Sequence, residues 1–204
     1  MHPREQTGTT WLGLLLGLML STGCATRGPN HVYLTTAANP AVHDLGPSPA
    51  GIADAVKPGE QVLGLAYDYN TDHLFLRVAP TQIIRVIERP SGKILREMQL
   101  PAALQSAASA DLAIRSRDRH LFAVHPDGRS VVELTLFGES VRRMTLNGIA
   151  GSVRGIAYDQ RGDRLLILSA TSDRAQVGTV NPDGNVTYYV TLAAAVSPVS
   201  LGYD

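Results

Sequence analysis

One five-residue motif recurs along this chain at nearly constant spacing, and that period constrains the fold more than any other feature. Gly64-Leu65-Ala66-Tyr67-Asp68 is followed by Asp111-Leu112-Ala113-Ile114-Arg115, then Gly155-Ile156-Ala157-Tyr158-Asp159, then Ser200-Leu201-Gly202-Tyr203-Asp204, at offsets of 47, 44 and 45 residues. A period near 45 residues built from several short strands is the signature of a propeller blade. Each of the first three units divides into four strand candidates rich in Val, Ile, Leu and Tyr. These are residues 62–68, 73–78, 82–88 and 93–100, then 110–115, 120–124, 130–136 and 140–146, then 153–159, 164–169, 176–180 and 185–192. Pro90-Ser91-Gly92, Pro126-Asp127-Gly128 and Pro182-Asp183-Gly184 supply turn chemistry between them.

The fourth unit stops after one strand, at Asp204, and its remainder stands at the other end of the chain. Asn30-His31-Val32-Tyr33-Leu34 aligns with Asp72-His73-Leu74-Phe75-Leu76, residues 41–45 match a third strand, and residues 51–56 a weak fourth. The expectation is an all-β, four-bladed β-propeller. Its blades are residues 62–100, 110–146, 153–192, and 197–204 joined with 31–56. It closes by pairing residues 199–203 with 31–34, which removes exposed sheet edges. Two chains forming an eight-bladed ring remain an alternative. Ala66, Ala113, Ala157 and Gly202 share one position, and all are small, as strands crowded around a tight axis require.

Composition narrows the classes. Eighteen basic residues balance eighteen acidic ones, against a nucleic-acid partner. At 44% hydrophobic and 18% charged, the chain is not of the disordered class. A single cysteine excludes a disulfide framework and a multi-Cys zinc site. Residues 11–20, WLGLLLGLML, form an apolar run of ten. That is about half of what a membrane-spanning helix needs, and it suits the core of a signal peptide.

The run ends in Leu20-Ser21-Thr22-Gly23-Cys24, which resembles the lipobox of bacterial lipoproteins. The resemblance implies a signal peptide over residues 1–23, diacylglycerol on the Cys24 thiol, and an acylated Cys24 as the mature N-terminus. Residues 24–30 would then be the acylated Cys and a short tether, and residues 31–204 the propeller. Ala25 after the cysteine implies the periplasmic face of the outer membrane by the same resemblance, with the inner membrane as the less favoured alternative.

Gly155-Ile156-Ala157-Tyr158-Asp159 with Asp163-Arg164-Leu165-Leu166-Ile167-Leu168 resembles blades of NHL- and YVTN-type bacterial propellers. That resemblance implies architecture rather than activity, because propellers host many unrelated functions. It points to a membrane-anchored, non-catalytic binding or scaffold module, held through Cys24, with a protein or other envelope partner and no cofactor. A propeller hydrolase of lactonase or phosphoesterase type, or a subunit of a larger propeller or envelope assembly, are the alternatives.

Candidate chemistry is sparse. Asp111 and Arg154, near the starts of first strands, are the candidate ligand residues at one mouth of the channel. His31, His73 and His120 recur at one blade position. Rotation about the axis separates equivalent positions too widely for one zinc ion, so no metal site is expected. Asp68 and Asp159 end first strands and are expected to bond turn N–H groups. Arg115, Arg117, Arg119, Arg142 and Arg143 read as a solvated basic patch. No nucleophile elbow, Walker loop or dinucleotide fingerprint is present.

Overall fold

A computed structural model describes residues 33–34, 42–44, 52–105, 111–193 and 200–201. All belong to one compact unit, His31–Asp204. The leader, Cys24, the tether and the expected pairing of residues 199–203 with 31–34 lie outside the described residues. Among those residues, no helix is long and apolar enough to cross a membrane.

The chain forms β1 (Tyr33–Leu34), β2 (His43–Asp44), a 3-10 turn (Ala53–Ala55), then β3 (Gln61–Asp68), β4 (His73–Ala79), β5 (Ile83–Glu88) and β6 (Lys93–Gln99). A second 3-10 turn (Ala102–Leu104) leads to β7 (Leu112–Arg115), β8 (His120–Val124), β9 (Ser130–Leu134) and β10 (Ser140–Thr145). Then follow β11 (Ser152–Asp159), β12 (Arg164–Ala170), β13 (Arg174–Val180) and β14 (Val186–Ala193). They make three four-stranded antiparallel meanders, β3–β6, β7–β10 and β11–β14, beside the short β1–β2 pair. All twelve strands expected in the first three repeats are present, with ends shifted by a residue or two. The expected weak strand at residues 51–56 is instead the 3-10 turn. That segment packs its Ile52 and Ala55 into a core rather than onto a ladder.

The sheets stack face to face, and their first strands adjoin, β3 against β7 and β7 against β11. Ala66, Phe75, Ile84 and Val86 of the first sheet meet Leu112, Ile114, Leu121 and Val132 of the second. The second and third sheets meet through Phe122, Val131, Ile156 and Ile167, with the Phe122 and Tyr158 rings stacked at 5.5 Å. Stacking on both faces explains why the second strands read as continuous apolar runs rather than alternating ones. The interior of β4 is buried on both faces.

The fourth strands are outer edges and alternate or expose their side chains. Each carries one extra residue in its ladder, Leu95, Val141 or Tyr189, all exposed. Such bulges, with Arg96 and Arg142 beside the first two, blunt an edge that would otherwise template aggregation.

Described residues before β3 and after β14 also pack against the sheets. On the remaining face of the first sheet, Val42, Ile52 and Ala55 cover Leu74, Leu76 and Ile87. Arg85, fully buried, locks the same segment with a bidentate pair to Glu60 (2.6 and 2.8 Å) and a bond to the Ala55 carbonyl. At the other end, Ser200 and Leu201 lie against β11 so closely that a Cβ on Gly155 would stand 2.5 Å from the Leu201 nitrogen. Those are backbone atoms and cannot swing aside. Gly155→Val is therefore expected to lose about 1–3 kcal/mol and to speed proteolysis of the C-terminal tail. Unchanged denaturation and cleavage would show that the tail does not dock there.

Candidate functional site

The residues that end the first strands organise one face of the stacked sheets. Asp68 accepts from the Asn70 N–H (3.2 Å) and the Thr71 hydroxyl (2.7 Å). Asp159 accepts from the Arg161 and Gly162 N–H groups (3.1 and 2.8 Å) and from Arg164 Nε (2.9 Å). Both are turn-capping carboxylates of the expected kind. Asp72, Arg119 and Asp163 hold left-handed φ values of 56, 61 and 50° in the same turns. Tyr67 and Tyr158 donate to the two aspartates among them (2.9 and 2.8 Å). Neighbouring turns are tied across repeats. Asn70 donates to the Ser116 carbonyl, and Gln160 accepts from the Ser116 N–H while donating to the Ile114 carbonyl.

Near the starts of the first strands, Asp111 and Arg154 fare differently. Arg154 is the extra residue of a bulge in β11 and stands exposed. Asp111 is 1% exposed. Its Oδ1 accepts from the Leu112 N–H (3.0 Å), and its Oδ2 from the Ile156 N–H (3.0 Å), the Leu201 N–H (3.2 Å) and the Ser200 hydroxyl (2.9 Å). One carboxylate thus joins the openings of the second, third and fourth copies of the motif. Burial pushes its pKa up to about 6, against the pull of those four donors. The first repeat contributes Arg77, fully buried on β4, which donates to the Leu104 carbonyl at 2.5 Å. Burial brings the Arg77 pKa down to about 10, against the charge of Asp111. In this arrangement Asp111 binds three backbone N–H groups and the Ser200 hydroxyl.

The arginines read as a solvated patch are, for the most part, partnered. Arg117 meets Asp163 (2.5 Å) and Arg143 meets Asp127 (2.5 Å). Arg115 and Arg142 converge on Glu133, a residue singled out by no motif. Glu133 Oε1 accepts from Arg115 (2.5 Å) and sits 2.7 Å from His120 Nδ1, while Oε2 accepts from Arg142 Nε (2.6 Å). Arg115 also grips Asp118 with 2.8 Å bonds and lies over the Phe122 ring. Burial works to raise the Glu133 pKa, but the bonds from His120 and Arg142 and the Arg115 charge hold it below the usual carboxylate range. Asp118, His120 and Glu133 approach one another as metal ligands do. Guanidinium groups nevertheless occupy the carboxylate oxygens, so the cluster is an ion-pair network. A charged residue inside an apolar strand was the available signal: Glu133 in SVVEL, Arg77 in HLFLRVA and Arg85 in IIRVIE.

No family model matches the chain, and no curated protein does. Solved structures do. A structure of a nidogen/laminin complex matches over 80% of this chain and 62% of its own, at 16% identity and a TM-score of 0.59. A protein of unknown function from Bacteroides thetaiotaomicron matches over 83% of this chain and 42% of its own, at 15% identity and a TM-score of 0.58. The hydrazine synthase of Kuenenia stuttgartiensis matches over 89% of this chain and 53% of its own, at 13% identity and a TM-score of 0.51. The chain thus spans between 42 and 62% of these structures. At these identities the likeness is one of fold. Together with the three stacked four-stranded sheets, it makes this a β-propeller-like protein.

Proposed function

We propose that this chain is a lipid-anchored bacterial envelope protein whose propeller-like body is a non-catalytic binding module. The observation that carries the reading is the lipobox-like Leu20-Ser21-Thr22-Gly23-Cys24, six residues before the repeats begin. Acyl chains on Cys24 would hold the body at the periplasmic face of the outer membrane, with roughly 0.8 kcal/mol gained per buried CH₂. The binding-module reading is supported by the propeller-like fold. It is also supported by Asp111 and Glu133, whose oxygens are engaged within the protein.

The same reading takes the body to be a member of the NHL/YVTN-like propellers that closes as four blades. Two contacts favour closure. Asp111 bonds Ser200 and Leu201, and Val42, Ile52 and Ala55 cover the free face of the first sheet. A fourth blade drawn from both chain ends would stand between the first and third sheets. Its partner would be a protein or other component of the envelope.

Cys24→Ser tests the anchor. The wild-type chain is expected to incorporate labelled palmitate and to fractionate with outer membranes. The variant is expected to lose the label and to leave the outer-membrane fraction, with its apolar leader uncleaved. A variant that still fractionates with outer membranes, or a wild-type chain without label, would overturn the anchor.

A further inference from the structure

The repeat allows the protein to be compared with itself. In the second sheet, Phe122, Glu133 and Arg142 share one rung of the ladder. In the first sheet the same rung is Phe75, Val86 and Arg96. The correspondence is close: His120, Phe122 and Glu133 each stand 47 residues after His73, Phe75 and Val86. Both arginines follow the bulged residue of their strand, Leu95 or Val141, so both are turned onto the face that meets the next repeat. The histidine and arginine are kept, the carboxylate between them is replaced by valine, and Arg115, paired with His120 across the ladder, is replaced by Asp68, paired with His73.

Beside the first rung lies a cleft of about 140 Å³, lined by His73, Val86, Leu95, Arg96 and Arg119. Val86 and Leu95 provide apolar surface, and three basic side chains surround it. Arg96 stacks on Phe137 at 5.3 Å, yet its buried Nε has no hydrogen-bond partner among the described residues. Arg119 Nε stands 3.8 Å from Asp68 Oδ2, which the Thr71 hydroxyl already engages. Burial, and after it the charge of Arg119, lowers the Arg96 pKa. A buried donor without an acceptor, facing a second guanidinium, is costly unless an anion is supplied.

We propose that this cleft binds a small carboxylate with a short aliphatic body. Its carboxylate takes the place that Glu133 fills one repeat later, between His73 and Arg96. Its aliphatic part lies on Val86 and Leu95, and Arg119 closes the charge. The proposal is independent of the membrane anchor, and its failure would leave that reading standing.

Butyrate titrated into the full chain in detergent, followed by NMR of the histidine rings, tests it. A saturable shift of the His73 signals is expected, with His120 unmoved. Arg96→Gln removes a charge-assisted donor and is expected to weaken butyrate by about tenfold or more. Val86→Glu supplies the carboxylate internally and is expected to abolish the shift. Should Val86→Glu fail to fold, Arg96→Gln carries the test alone. No saturable shift, or equal affinity in Arg96→Gln, would overturn the site. Inorganic phosphate binding more tightly than butyrate would overturn the carboxylate assignment.

Discussion

Asp111→Ala is expected to destabilise the folded chain by about 3–5 kcal/mol near pH 4, since each buried donor left without an acceptor costs about 1–3 kcal/mol. Three backbone N–H groups, those of Leu112, Ile156 and Leu201, and the Ser200 hydroxyl lose their acceptor. Asp111→Asn keeps one acceptor oxygen and is expected to cost about half as much. The penalty has a defined pH dependence. Asp111 has a folded pKa raised to about 6 from an ordinary value of 3.8. Its stabilising contribution is therefore fully present below 3.8 and is lost as the pH rises through 6. Urea denaturation at about pH 4 and pH 7 should show the larger Asp111→Ala penalty at the lower pH. A penalty below 1 kcal/mol at pH 4, or one that grows with pH, would show that Asp111 does not join the motif copies as described.

Glu133→Ala is expected to cost about 2–4 kcal/mol, lowered from the fully buried range because Arg142 is partly solvated. The substitution leaves Arg115, Arg142 and His120 facing one another between the second and third sheets. Here the pH trend is opposite. Because the Glu133 pKa is lowered from 4.5, its contribution is present above that value and lost as the pH falls through the depressed folded value. The Glu133→Ala penalty should be largest near pH 7 and shrink in acid. Measured on one instrument in one buffer series, the two variants should diverge in opposite directions. Parallel trends would refute at least one of the two local electrostatic descriptions.

The strands of the first three repeats were legible because their signals are local. Runs such as His73-Leu74-Phe75-Leu76 and Arg164-Leu165-Leu166-Ile167 fall between turn-forming residues, and the motif repeats at a regular interval. The 3-10 turn at Ala53–Ala55 was misread as a strand, since three residues carry too little pattern to separate the two. The bulges at Leu95, Val141 and Tyr189 were invisible, because an extra residue is defined only against its partner strand.

The candidate sites divide along the same line. Turn-capping by Asp68 and Asp159 involves neighbours within five residues, and the sequence reading reached it. The bonds of Asp111 reach 45 and 90 residues along the chain. Read alone, Asp111 was a polar residue at a strand start and so a ligand candidate. Arg142 is half-solvated as expected, whereas Arg115 is largely buried, and their meeting at Glu133 was hidden because Glu133 lies on a different strand from either. The basic cleft beside Val86 emerged only when two repeats could be laid rung on rung.

By itself the amino-acid order determined the period, the strands and the turn residues, because backbone propensity and side-chain alternation act over a few neighbours. Tertiary structure alone decided which charges are buried, which carboxylate meets which guanidinium, and where a buried guanidinium nitrogen lacks an acceptor. Those outcomes depend on the distance between side chains tens of residues apart, and only the stacking of the sheets sets that distance.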